Sequence, residues 1–242
     1  MKKIKKIILF LLALLLSVYL ILFLYPQIVF RNKFEYKSFI IYSHVQPDKN
    51  IFKILDSAES LISSSELYKN NTARHKIYLC NNFLEYSFFA PVQRHAFACN
   101  NILTNNIFLS KSNILNNRVE RNGNENNFRT LSGTIAHEVT HTLIKNYIGF
   151  IKYMSLDTWK NEGYSDFIAK ESSFDFIKGI NILCNYQNTS SPSFKYFKYR
   201  LYIEYLIKNK NLSFNEIVNG DFSLSQLDRS LQKKYCNLKR TY

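Results

Sequence analysis

The chain has 242 residues, with 32 Lys and Arg against 18 Asp and Glu, for a formal net charge of +14. That length suits one domain of ordinary size plus an appendage. No nucleic-acid-binding motif accompanies the basic excess, so nucleic acid is not expected as a partner, and attraction to an anionic membrane or cell-wall surface is the simpler reading of the charge.

The appendage comes first. Lys2, Lys3, Lys5 and Lys6 make a basic flank over residues 1–6, and residues 7–25 (IILFLLALLLSVYLILFLY) are apolar but for Ser17 and stop at Pro26. A membrane span needs about 20 apolar residues. The apolar core of a secretory signal is shorter, about 7–15 residues, and leads into a small-residue cleavage site that is missing here. An uncleaved single-pass anchor in the cell membrane is therefore expected. The four lysines favour a cytoplasmic N-terminus with the rest of the chain outside. Arg31, Lys33 and Lys37 follow the span, where they would meet lipid headgroups.

Residues 26–50 read as a juxtamembrane connector. From Ile51 to Tyr68, Phe52, Leu55, Ala58, Leu61 and Ile62 recur at helical spacing. Four short runs rich in aromatic and branched residues follow, at His75–Cys80, Tyr86–Ala90, Ala96–Asn100 and Ile107–Ser110, and predict a small, mostly antiparallel sheet. The polar stretch Asn116–Asn127, with Gly123, reads as an exposed loop. From Thr130 the period turns helical, with Leu131, Ile135, Val139 and Leu143 on one stripe and Gly149 as the stop. Further helices are expected over about 158–171, 194–208 and 223–236, with Ser213 and Glu216 spaced as a capping box. Sheet first and helices after predict an α+β domain over 51–242.

All four cysteines lie beyond the apolar run. In an exported domain they permit two disulfides, and sequence order suggests Cys80–Cys99 with Cys184–Cys236; four buried thiols are the alternative. There is no C-x-x-C spacing to suggest a thiolate zinc site.

The chemistry centres on His137-Glu138-Val139-Thr140-His141, an H-E-x-x-H inside the helix that starts near Thr130. Two histidines four residues apart lie one turn above each other on one face, so both imidazoles can reach a single metal ion, beside which Glu138 can hold a water. A catalytic zinc takes three protein ligands and keeps one position open. The third is expected from Glu162, 21 residues after His141 (162 − 141), on a helix that Asp157 could cap and where Gly163 would leave room beside the metal. Asp166 follows Glu162 by four residues on the same face, placed to accept the second N–H of a ligating histidine, His137 first.

HEVTH followed by WKNEGYSDF resembles the gluzincin metallopeptidases, the thermolysin and aminopeptidase type, over about Thr130–Ala169. No histidine follows His141, so the three-histidine metzincin pattern is missing. The resemblance implies a zincin-like fold, one zinc per chain held by His137, His141 and Glu162, Glu138 as general base in peptide hydrolysis by a zinc-activated water, and Asp166 behind the ligands. It also implies a peptide or protein substrate and a donor for the developing oxyanion, for which Tyr196 and Tyr199 are the candidates. In such folds an edge strand ahead of the motif helix holds the peptide, and Asn106–Ser110 is the candidate here. No G-x-M-E-N-like stretch supports exopeptidase activity. The alternative function is a zincin-like module that binds zinc or a partner without cleaving, which leaves the general base without a purpose. An intramembrane protease is excluded by the distance of the motif from the apolar run.

Overall fold

The apolar run folds as one helix, α1 (Lys2–Leu24), none of whose side chains is fully buried and most of which are exposed. Its 23 residues, at about 1.5 Å each, extend about 35 Å, long and apolar enough to cross a bilayer. A secretory signal shares those traits. The computed structural model describes residues 2–70, 73–121, 124–185, 187 and 189–236. Among them are ten α-helices and eight strands, a mixed α+β architecture.

The stretch expected to be a connector belongs to the folded domain. β1 (Asn32–Tyr36) and β2 (Phe39–Ser43) form a hairpin, turned at Lys37 with φ 51°. After α2 (Ile51–Ile62) comes β3 (His75–Leu79), then α3 (Phe83–Phe89), β4 (Ala98–Asn100) and β5 (Ile107–Leu109). The sheet order is β1-β2-β3-β5-β4. Its two central pairings, β2 with β3 and β3 with β5, are parallel, and only the outer two are antiparallel. The expectation of a mostly antiparallel sheet is corrected by α2 and α3, since parallel neighbours need a crossover of helical length between them.

The expected strand Tyr86–Ala90 is the body of α3. Asn82 caps it, its side chain accepting from the Glu85 N–H at 3.0 Å. Tyr86 and Phe89 are buried while Leu84 and Phe88 are exposed, a period of three to four rather than two. Aromatic content suggested a strand where spacing makes a helix. β5 also departs from expectation: it pairs on both sides, and the edge strand at this end of the sheet is β4.

Alternation along the strands makes two cores. Phe39, Ile41, Ile77, Ile107 and Leu109 pack beneath α2 and the motif helix. Tyr42, Tyr78 and Phe108 face the other way, into an aromatic layer with Phe30, Tyr86 and Phe89. There the rings stack in series, Tyr42 on Tyr78 at 4.7 Å, Tyr78 on Phe108 at 4.9 Å and Phe108 on Phe89 at 4.8 Å. The second sheet, β6 (Ser112–Asn113), β7 (Arg118–Arg121) and β8 (Asn124–Thr130), is antiparallel. Much of the expected polar loop is therefore hairpin, with Val119 buried and the Arg118 guanidinium on the Phe128 ring; Gly123 lies outside the described residues.

The C-terminal half is helical: α4 (Leu131–Ile148), α5 (Phe150–Met154), α6 (Thr158–Ala169), α7 (Phe176–Cys184), α8 (Pro192–Lys210), α9 (Phe214–Asn219) and α10 (Leu224–Cys236). Gly149 ends α4 at φ 82°, a backbone angle that glycine adopts freely. Ser213 and Glu216 form the reciprocal capping box of α9. A separate core joins α6, α8, α9 and α10 around Trp159, Tyr164, Tyr202 and Phe214. Cys184 and Cys236 form a disulfide between α7 and α10, while Cys80 and Cys99 are free thiols. That second expected bridge fails for a geometric reason. Cys80 follows β3 and Cys99 lies on β4, with β5 between them; two strand spacings, about 9–10 Å, exceed a disulfide's reach.

Candidate metal centre

Burial on two sides sets the motif helix. Leu131, Ile135, Val139 and Leu143 pack on the sheet, and every residue of α4 from Leu131 to Ile144 is buried. Its polar residues are satisfied locally: Thr130 caps the helix by accepting from Gly133 N–H at 3.0 Å, Thr134 returns a bond to the Thr130 carbonyl at 2.8 Å, and Thr140 does so to Ala136 at 2.7 Å. The histidines lie beside the apolar stripe and face α6, which runs antiparallel to α4, so that Asp166 meets His137 while Asn161 meets His141. Gly163 does not face the histidines. A Cβ there would meet the Tyr199 carbonyl oxygen at 2.5 Å, so its role is to let α6 and α8 pack backbone to backbone. Asp157 occupies the N-cap of α6 without capping it, its carboxylate pairing instead with Lys160 at 3.3 Å.

His137, His141 and Glu162 converge. The two Nε2 atoms are 3.0 Å apart, Glu162 Oε2 is 3.4 Å from His137 Nε2, and Glu162 Oε1 is 3.6 Å from His141 Nε2. All three ligand atoms lie within 4.8 Å of one another. The other ring nitrogens are committed: His137 Nδ1 donates to Asp166 Oδ1 at 2.8 Å and His141 Nδ1 to Asn161 Oδ1 at 2.9 Å. Neutral imidazoles so oriented aim two bare lone pairs and a carboxylate at one point. Such a cluster repels itself unless a cation sits at its centre, either a proton shared among the donors or a metal ion. Burial opposes a charge on His137, yet the Asp166 and Glu162 carboxylates outweigh it and raise its pKa to about 10. Without a metal His137 would hold a proton, and metal binding would release it. Burial likewise opposes a charge on Glu162, but the two histidines hold its carboxyl below the usual range, ready to ligate.

Behind His137 stands a charged relay. Asp166 is fully enclosed and pairs with Arg129 at 2.9 Å, and Arg129 pairs with Glu171 at 3.1 Å. Burial works against the charge on Asp166, but Arg129 and His137 win and hold its carboxyl below its ordinary value. Glu171 also accepts from the Thr130 N–H at 3.2 Å and the Thr130 hydroxyl at 2.9 Å, so it ties the start of α4 to the chain just past α6. Behind His141 the partners are neutral. Asn161 gives its carbonyl oxygen to the ring and its amide to the Tyr153 hydroxyl at 3.3 Å.

The cluster opens into a cavity of about 740 Å³, lined among others by Glu138, Asn161, Tyr153, Tyr196 and the edge strand β4. Asn100 of β4 donates to the Glu138 carbonyl at 2.7 Å and to the Thr142 hydroxyl at 2.8 Å, which fixes the strand to the motif helix. Of the two expected oxyanion donors, Tyr196 lines the cavity, whereas Tyr199 is buried in the helical core against α6. Tyr153 lines it as well. Burial pushes its pKa up to about 12, only partly offset by the Asn161 bond, so its phenol stays protonated as a donor.

Sequence reasoning missed Tyr153, Asn161, Arg129 and Glu171. Asn161 could have been found, since His141 also needs a partner for Nδ1 and Asn161 adjoins the candidate ligand Glu162. Tyr153 sits on the five-residue α5, too short to show a period, and Arg129 and Glu171 precede and follow the helices they join. No protein-family model and no curated protein matches the chain. What stands is a His-His-Glu cluster that could hold a metal ion at the floor of a cavity.

Proposed function

We propose that the chain is a membrane-anchored, zinc-dependent metallopeptidase of the gluzincin type, with α1 as the anchor and the domain outside the cell. The observation that carries this reading is the convergence of His137 Nε2, His141 Nε2 and a Glu162 oxygen on one point, with both Nδ1 atoms tied back and Glu138 on the same cavity wall. Two imidazoles and one carboxylate with an open side form a catalytic zinc set. A zinc ion held there would polarise the scissile carbonyl and acidify the attacking water.

The rest falls to the chain's own groups. Glu138 takes a proton from the attacking water and delivers it to the leaving amine. The Tyr153 phenol, held by Asn161, donates to the developing oxyanion, with Tyr196 on the same cavity as the alternative donor. The peptide lies extended along β4, the edge strand beside the motif helix, whose Ala98, Cys99 and Asn100 line the cavity.

The test is a pair of measurements on the purified full chain: metal content, and hydrolysis of a mixed peptide library before and after Glu138→Gln. The reading expects one zinc per chain in both forms and cleavage only in the unaltered one. Zinc retained with no cleavage by the unaltered chain would leave a zinc-binding module instead, and equal cleavage by both forms would remove Glu138 as the base.

A further inference from the structure

The last turns of α1 do not stand free of the domain. Tyr19 packs edge-on against Phe88 of α3, with ring centroids 5.1 Å apart, and its hydroxyl donates to the Phe88 carbonyl at 3.3 Å. That carbonyl belongs to the last turn of α3, where the helix leaves its own acceptors unpaired. Four residues further along α1, Phe23 lines the same cavity as Glu138. Tyr19 lies six residues before the end of the apolar run at Tyr25 (25 − 19), about 9 Å along the helix. If α1 spans a bilayer, α3 is therefore held at the depth of the headgroup and acyl boundary, where interfacial helices bury about 5–10 Å.

α3 is built for that depth. Leu84, 83% exposed, and Phe88 lie four residues apart on its outer face, and Val92, 95% exposed, continues the line in the following turn. The only charge on α3, Glu85, is turned inward, where it pairs with His44 at 2.5 Å and accepts from the Asn81 N–H at 2.7 Å. The exposed Arg94 stands two residues beyond Val92, an apolar tip flanked by a cation, which suits an anionic lipid surface. Tyr25 and Ile28, exposed just past α1, add the aromatic and apolar side chains typical of a membrane boundary.

We propose that the outer face of α3 and the turn through Val92 rest on the lipid bilayer beside α1. This rests on the reading of α1 as a span. It puts Phe23, Pro91 and Val92, on the rim of the metal-centre cavity, at the bilayer surface. The cavity then opens along the membrane, toward polypeptide held at that surface.

The experiment uses the full chain reconstituted in vesicles of phosphatidylcholine and phosphatidylglycerol, with an environment-sensitive fluorescent amino acid placed singly at Leu12, Leu84, Val92 or Lys210. Lipids carrying a quencher at shallow or deep acyl positions report depth. The proposal expects Leu12 to be quenched by the deep lipid, Leu84 and Val92 by the shallow one, and Lys210, at the far end of α8, by neither. Leu12 quenched, with Leu84 and Val92 reached only by aqueous iodide, would overturn the docking and keep the span. Leu84 and Val92 shielded from lipid and iodide alike would overturn it in favour of a second protein surface. Leu12 unquenched would remove the span and the docking together.

Discussion

The two histidines of the candidate metal centre are one turn apart and differ in what stands behind them. His137 is backed by charge, through the buried Asp166 and Arg129 between α4, α6 and β8, and from Arg129 to the partly exposed Glu171. His141 is backed by the neutral Asn161 amide, which passes on to a tyrosine on the cavity wall. One relay ties a histidine to the fold, the other ties a histidine to the cavity wall. The difference predicts that damage behind His137 is felt as lost stability and lost metal together, while damage behind His141 is felt as lost metal or lost turnover in a chain that still folds.

The largest effect is expected from Asp166→Asn. Removing one member of a buried ion pair costs about 3–5 kcal/mol, and losing the carboxylate behind a ligand weakens metal binding about 10–100-fold. Denaturant unfolding in detergent, followed by metal titration, reads both; an unchanged midpoint would dissolve the contrast between the two relays.

The same pair should mark the acid limb of the stability curve. Asp166 has a lowered pKa in the fold, so its contribution is complete above the unfolded value of about 3.9 and is lost as pH falls through the lower folded value. The unaltered chain should therefore lose stability more steeply below about pH 4 than Asp166→Asn does. Parallel curves would show that the carboxylate carries no such linkage.

Tyr153→Phe is expected to leave folding and metal content intact and to lower kcat about 10²–10³-fold, the usual loss for one oxyanion donor. If Tyr196→Phe shows that loss and Tyr153→Phe does not, the roles are exchanged. The smallest effect belongs to Asn161→Ala. It should weaken metal binding about 10-fold and change stability by only about 1–2 kcal/mol, the net worth of two neutral hydrogen bonds. A stability loss equal to that of Asp166→Asn would show that the neutral relay also holds the fold.

The contrast also explains what the sequence could reveal. The H-E-x-x-H, Glu162 and Asp166 are legible because helical spacing places them and because each is chemically conspicuous. α4, α6, α8 and the α9 capping box follow from period and cap residues. Partners brought in by tertiary packing are not legible. Arg129 meets Asp166 only once β8 and α6 are in place, and Tyr153 meets Asn161 only across the turn between α5 and α6. The strand directions are hidden for a related reason. Strand direction depends on what connects the strands, so reading α3 as a strand removed the crossover that makes β3 and β5 parallel.

The central claim is that His137, His141 and Glu162 together hold one zinc. X-ray absorption at the zinc edge of the purified full chain tests it most directly. The account predicts two imidazole nitrogens at about 2.0–2.1 Å and carboxylate or water oxygen at about 2.0–2.2 Å, with the imidazole signal halved in His141→Ala. A sulfur shell at about 2.3 Å, or a chain without zinc after metal reconstitution, would contradict it.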